Sequence, residues 1–447
     1  MIGSWPCYPA VRPLGKRREL MKGYWTGPAV CALLLAGSPA SAVAPLQDRT
    51  REEERLMAEA KKIHQDAITL DSHVDIGGAR YATPDMDPGI ENPRLKCDLV
   101  KMRKGGMDGV FLAVYVGQRP ALDEAGFKAA YEAAMVKFEA VRRLTEQMHP
   151  DKCHLVTTPD GVRKTVRTEK RAIMIGIENG YPIGNDLSLI GKYYDLGARY
   201  ITLSHSGHNQ ICDSSGPEQP MHGGLSEFGK RVVTEMNRLG MMIDVSHVSE
   251  KTFWDVIKSS KAPIIASHSG CMALSPHDRN LTDEQLRALA RNGGVVQIVA
   301  LGSFLKPDSP ERRQALAALR QELGFQRTGR QDRQAMSAEQ REQMEKLFEV
   351  YQERMKEVDA RYPTADLKVF VDHIDHAIKV AGIDHVGIGT DFDGGGGIRG
   401  FNDHSEALNV TVELLRRGYS GKQIRKIWGE NLLRVWRQVE KAGERLR

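Results

Sequence analysis

Along this chain, short hydrophobic runs alternate with amphipathic stretches. Eight runs read as strands: AITLDSHVD (67–75), GVFLAVYV (109–116), RAIMIGIEN (171–179), ARYITLSH (198–205), MMIDVSH (241–247), APIIASH (262–268), GVVQIVA (294–300) and HVGIGTDFD (385–393). The stretches between them carry helix punctuation. SEFGKRVVTEMNRLG (226–240) opens at a Ser N-cap and ends at Gly240, while TDEQLRALARNG (282–293) opens at a Thr cap and closes on glycine. Both have apolar residues at three and four residue spacing. Such alternation predicts a parallel sheet of βα units, and eight strands are the number that closes an α/β fold into a (β/α)8 barrel.

Two segments depart from the pattern. Residues 303–365, before the last strand, are rich in Arg, Gln, Glu and Lys with sparse apolar positions. They read as a helical insertion, either packed on the outside or over the mouth of the barrel, or a solvated hairpin without function. Upstream, the polar helix-forming sequence REEERLMAEAKKIHQDA leads into the first strand. Residues 43–447 are thus expected to form one barrel domain.

The first 42 residues read as an export signal. A basic segment precedes the apolar run GPAVCALLLAG, and Ala40-Ser41-Ala42 fits a cleavage site. The run is about half the length of a bilayer-spanning helix. KRRELMK (16–22) is similar to a twin-arginine signal with lysine where serine or threonine is usual, and Met21 is an alternative start. The general secretory route ranks slightly ahead, and the expected product is periplasmic or secreted.

Composition adds little beyond a soluble globular enzyme, with 41% hydrophobic and 27% charged residues. The formal net charge is +5, but Arg12, Lys16, Arg17, Arg18 and Lys22 against Glu19 place +4 of it in the signal. The remaining +1 gives nucleic-acid binding no electrostatic support. Cys97, Cys153, Cys212 and Cys271 would survive cleavage, without C-x-x-C spacing. They permit two disulfides in any of three pairings, or four buried thiols.

The chemistry lies at the strand ends. His73 and Asp75, two positions apart on one strand, share a face. Glu178, His205, His247, His268 and Asp391 end further strands. Barrel enzymes collect their catalytic groups at that rim. Gathering so many polar groups without a cation would be costly, so a metal best explains the cluster. Imidazole and carboxylate without thiolate suit zinc, with manganese, cobalt or iron as substitutes. Seven groups exceed the needs of one tetrahedral zinc and favour two metals sharing a carboxylate. The residues alone leave His205 open as a ligand and Arg279 as an ordinary solvated or packed arginine.

HVD at the first strand, IGIENG at the third, YITLSH, IDVSHVS, IIASHSG with HDRN, and GIGTDFDG at the last resemble, in order, the membrane dipeptidase (renal dipeptidase) family of zinc metallopeptidases. The resemblance runs from about residue 60 to about 440. It implies one zinc on His73, Asp75 and Glu178 and a second on Glu178, His247 and His268, with Glu178 bridging. It further implies that His205 stabilises the developing oxyanion and Asp391 orients the bridging hydroxide and carries its proton to the leaving amine. Arg279 would clamp the carboxylate of a dipeptide substrate, a C-terminal D-residue would be accepted, and a homodimer is expected.

Other features carry less. GGGG (394–397) reads as a bend away from the rim rather than a phosphate cradle. His373 and His376 sit on an amphipathic helix as packed or exposed residues, while His208 and His222 flank a loop from which either could touch substrate. The mammalian members of the family end in a lipid-anchor signal, whereas this chain ends in the charged helix LLRVWRQVEKAGERLR, so no stable membrane anchor is expected. Two rivals remain: a related metal-dependent amide, lactam or lactone hydrolase of the amidohydrolase group, and a metal-bearing protein that binds peptides without cleaving them.

Overall fold

Each of the eight apolar runs contains a strand in the computed structural model, which describes residues 46–324 and 338–447. With one further short strand they are β1 (Leu70–Asp75), β2 (Gly109–Tyr115), β3 (Cys153–Leu155), β4 (Arg171–Glu178), β5 (Ala198–Thr202), β6 (Met242–Asp244), β7 (Ile265–Ser269), β8 (Val295–Ile298) and β9 (Val386–Ile388). Eight pair in parallel in the order β1-β2-β4-β5-β6-β7-β8-β9. The chain beyond β9 returns to β1: Asp75 N donates to Phe392 O at 2.9 Å and Asp391 N to His73 O at 3.0 Å. The result is a parallel eight-stranded barrel with helices between its strands.

β3 is absent from the sequence reading. Its three residues include one buried side chain, Cys153, and it only extends the start of β4. A segment that short has no readable period. The two helices read from sequence form, as Glu227–Leu239 and Asp283–Arg291. The Ser226 side chain accepts from Gly229 N, Gly240 adopts the left-handed conformation at φ 76°, and Thr282 forms a capping box with Gln285.

Alternate residues climb the barrel interior, and their chemistry changes with height. At the strand starts Leu70, Phe111, Met174, Tyr200, Met242, Ile265 and Val295 form one apolar cluster with Leu432, Val435, Trp436 and Val439 of the C-terminal helix Asn431–Leu446. Phe111 lies 5.4 Å from Tyr200 and 5.6 Å from Trp436, ring to ring. The helix that reads as charged therefore plugs one end with its apolar face, each large side chain contributing roughly 1.5–3 kcal/mol. Two residues further along, Gly176, Thr202, Asp244 and Ser267 replace the apolar layer. The next layer holds Glu178 and its partners.

The insertion begins as the short helix Gly302–Leu305 and continues as Pro310–Glu322 and Ala338–Arg361; residues 325–337 lie outside the described part. Arg354 pairs with Glu322 at 2.9 Å and Arg312 with Asp359 at 2.7 Å, tying the two longer helices together. Cys97, Cys153, Cys212 and Cys271 are all buried free thiols, so the disulfide option is not taken.

Residues 50–447 form one compact unit. Of residues 1–49, a separate unit, only Leu46 to Arg49, the start of the helix Leu46–Asp66, are described, and the expected signal lies outside. Among the described residues no helix is long and apolar enough to cross a membrane.

Candidate metal centre

His73, Asp75, Glu178 and His268 lie in the last residues of β1, β4 and β7, whereas His205, His247 and Asp391 follow three residues after β5, β6 and β9. His247 (φ 69°), Asp391 (φ 60°) and Asn179 (φ 78°), which follows Glu178, all have left-handed conformations that cost a non-glycine residue of order 1–3 kcal/mol. The turn at Asn179 directly follows the last residue of β4, and those at His247 and Asp391 re-aim the chain at the rim beyond the ends of β6 and β9. Asn179 is held by four side-chain hydrogen bonds: it donates to Val116 O and Gln118 Oε1 and accepts from Tyr181 N and Asn209 Nδ2.

Four histidines converge on Glu178. His247 Nε2 lies 3.0 Å from Glu178 Oε1, His205 Nε2 3.5 Å, His268 Nε2 3.7 Å, and His73 Nε2 3.7 Å from Oε2. Three trios each have donor atoms within 4.8 Å of one another: His73, Asp75 and Glu178; Glu178, His247 and His268; and His73, His268 and Asp391. Glu178 belongs to two of them. His205 belongs to none among the described residues, and its ring packs 4.2 Å from His247 and 4.7 Å from Tyr115.

These residues fit a metal on their own chemistry. His73 is fully buried, and its Nε2 has no hydrogen-bond partner although the ring shares donor trios with Asp75, Glu178, His268 and Asp391. His247 Nε2 and His268 Nε2 face each other at 2.9 Å. A buried nitrogen left bare among carboxylates is the arrangement that a cation would complete.

The charges agree. Burial alone would raise Glu178, yet His205, His73 and His247 hold it well below the ordinary carboxylate range. Burial disfavours a charged His73, but Glu178, Asp75 and Asp391 outweigh it and keep its pKa at about 9. Asp75 is pushed up to about 7 by burial and then by Glu178. Asp391 is raised by burial, Asp75 and Glu178. Protons are thus retained where positive charge is wanted.

A cavity of about 340 Å³ opens over this cluster, lined by Asp75, Glu178, His205, His247, His268, Arg279 and Asp391. Arg279 Nη2 donates to His268 O at 3.2 Å, its guanidinium stacks over Phe304 at 5.4 Å, and its buried Nε has no partner. Burial lowers its pKa to about 10, still a cation. The sequence reading missed His277, Asp278, Leu301 and Phe304 in the wall. The first two adjoin Arg279 in HDRN, and that proximity was the available signal; Phe304 opens the insertion, whose start therefore lies at the mouth.

The glycine run behaves differently from its reading. Gly394, Gly395 and Gly396 all direct N–H groups at Asp391 O, at 3.1, 3.1 and 2.7 Å. A Cβ on Gly394 would lie 2.0 Å from Asp75 Oδ2 and 2.4 Å from Asp391 Oδ1, so the chain passes against the site rather than bending away from it. His208 and His222 serve their loop, through Nε2 contacts with Gln219 O at 2.7 Å and Asn209 O at 2.8 Å, and neither lines the cavity. His373 is buried between Cys271 N and Leu305 O, and His376 meets Asp283 at 2.7 Å.

The sequence profile of the membrane dipeptidase family, peptidase family M19, matches residues 57–447. The chain belongs to that family. It is similar to the dipeptidase verJ of Clonostachys rogersoniana, 32% identical over 401 residues, which span 88% of this chain and 89% of that protein. The dipeptidase tcpJ of Claviceps purpurea is 32% identical over 348 residues, covering 77% of this chain and 69% of tcpJ. Among solved structures, the probable dipeptidase PvdM from Pseudomonas aeruginosa superposes with a TM-score of 0.75 at 33% identity, over 87% of this chain and 99% of that one. A metallopeptidase from Rhodobacter sphaeroides, bound to a phosphinate mimic of the dipeptide L-Ala-D-Ala, gives 0.65 at 25% identity, over 83% and 99%. This membrane dipeptidase family member therefore has a metallopeptidase barrel, with its candidate metal-binding groups at the C-terminal rim.

Proposed function

We propose that this member of the family is an exported dipeptidase that works with two zinc ions, held by His73, Asp75 and Glu178 and by Glu178, His247 and His268. The observation that carries the reading is the pair of donor trios sharing Glu178. Bound there, two zinc ions would polarise a carbonyl and supply hydroxide near neutral pH.

The chain's own groups do the rest. Arg279, with a free buried Nε in the cavity wall, binds the terminal carboxylate and fixes the scissile bond over Glu178. His205, beside Glu178 and outside every donor trio among the described residues, donates to the oxygen that gains charge. Burial lowers its pKa, so near neutral pH it donates as an imidazole. Asp391, in the cavity wall beside His73 and His268, takes a proton from the attacking water and returns it to the departing amine. One peptide bond breaks, and water supplies OH to the acyl carbon and H to the nitrogen.

The L-Ala-D-Ala mimic bound by the Rhodobacter relative supports acceptance of C-terminal D-residues. Steady-state rates on a panel of L,L and L,D dipeptides, with and without a chelator, test both statements. Chelator-sensitive cleavage with at least equal rates on L,D substrates is expected. A strong L,L preference would remove the D-residue reading, and hydrolysis of lactones or lactams but no dipeptide would favour the amidohydrolase alternative. Export is checked by N-terminal sequencing of the secreted or periplasmic protein, where cleavage after Ala42 is expected.

A further inference from the structure

The polar layer beneath Glu178 contains hydroxyls placed against the far nitrogens of two histidines. Tyr200 is fully buried, and its hydroxyl lies 2.9 Å from His73 Nδ1 and 3.1 Å from Ser72 O. Ser267 Oγ lies 2.8 Å from His268 Nδ1 and 2.6 Å from Asp244 Oδ2. Asp244 is itself fully buried and also accepts from Thr202 Oγ1 at 2.5 Å, Ser267 N at 2.8 Å and Ser246 N at 3.0 Å.

The ends of these chains dictate where the protons sit. A backbone carbonyl only accepts, so the Tyr200 hydroxyl spends its proton on Ser72 O and takes one from His73 Nδ1–H. A carboxylate only accepts, so Ser267 spends its proton on Asp244 and takes one from His268 Nδ1–H. As neutral imidazoles, both rings then present an unprotonated Nε2 towards Glu178. The fold makes room for this: a Cβ on Gly176 would lie 1.9 Å from Tyr200 Cζ, so only glycine admits the ring at the centre of the barrel.

We propose that Tyr200, and Ser267 backed by Asp244, are positioning residues that fix His73 and His268 as Nε2 ligands and set the affinity of one metal each. A hydroxyl thus stands where a ligating histidine more often meets a carboxylate or carbonyl directly. The proposal rests on reading His73 and His268 as ligands.

Its test is zinc titration of the metal-stripped full-length chain against a competing chelator, with melting temperatures of the stripped and loaded forms. Tyr200→Phe keeps the ring and removes one oxygen; Ser267→Ala removes the other. Each variant is expected to weaken one of two zinc equivalents by about 10–100-fold and to spare the other, with the stripped form melting as wild type does. Unchanged affinity, or an equal loss of melting temperature in stripped and loaded forms, would overturn the proposal and leave these hydroxyls as packing. Failure of the ligand reading is distinct: the wild-type chain itself would bind no zinc.

Discussion

His247 Nε2 and His268 Nε2 stand 2.9 Å apart inside the barrel rim, each also near Glu178 Oε1, at 3.0 and 3.7 Å. The hydroxyl chain behind His268 leaves its Nε2 without a proton, so the pair is held together by a cation or by one proton on His247. Glu178 belongs to two of the three donor trios, those proposed to hold the zinc ions, whereas His247 belongs to one. Glu178→Gln is therefore expected to lose both zinc ions and His247→Ala only one, read by elemental analysis of dialysed protein. Equal losses from the two variants would contradict a shared carboxylate.

Asp391 is buried beside His73 and His268 with an elevated pKa. As a proton carrier its value lies in turnover, so Asp391→Asn should lower kcat by about 10²–10⁴-fold while zinc content and dipeptide binding persist. Loss of zinc in that variant would instead make Asp391 a ligand.

Arg279 lies in the cavity wall with an unpartnered Nε. Lysine keeps the charge but not the planar fork, so Arg279→Lys should weaken binding by about 1.5–3 kcal/mol, raising KM by roughly 10–100-fold. Dipeptides amidated at the C-terminus should lose the same factor with the wild-type enzyme and nothing further with the variant. An additional loss would separate Arg279 from the carboxylate.

Gly394 passes so close to Asp75 and Asp391 that a methyl group cannot be added without moving a carboxylate. Gly394→Ala is expected to fold, because the clash is with side chains at the rim, and to bind zinc more weakly. Wild-type zinc affinity would show that the loop yields instead. Gly223, with open space at its Cβ, is unsuitable as a control because its φ of 70° would strain alanine; Gly78, in open space without a positive φ, serves better.

Metal-free and metal-loaded protein should diverge as pH rises. His73 has a folded pKa of about 9 against its ordinary value of 6.5. A group whose pKa is raised by folding stabilises fully below the unfolded value, and that contribution is lost as pH rises through the folded value. The metal-free chain should thus lose stability between pH 6.5 and about 9, where His205, His247 and His268, all lowered by burial, stay neutral. Zinc displaces the His73 proton, so its stabilisation should grow across the same window. The gap in melting temperature with and without zinc should widen from pH 6.5 to about 9; a constant gap would show that no proton is displaced.

Much of this was legible in the sequence. The eight strands stood out because a parallel barrel strand is buried on both faces and reads as an apolar run, and the site residues because histidine and carboxylate are poor endings for such a run unless they are used. The strand ends were less legible. β5, β6 and β9 stop at Thr202, Asp244 and Ile388, three residues short of His205, His247 and Asp391. At His247 and Asp391 the chain turns through a positive φ, which no side-chain pattern announces. The supporting hydroxyls were invisible for a different reason. Tyr200 and Ser267 lie in runs indistinguishable from core, and their roles come from contacts with Ser72 and Asp244 on other strands, at separations of 128 and 23 residues.

Diffraction at the zinc absorption edge, from crystals of the mature zinc-loaded protein, measures the central claim most directly. Two anomalous peaks are predicted, one bounded by His73, Asp75 and Glu178 and the other by Glu178, His247 and His268, with a Glu178 oxygen on each. A single peak, or peaks away from Glu178, would contradict the proposed two-metal dipeptidase.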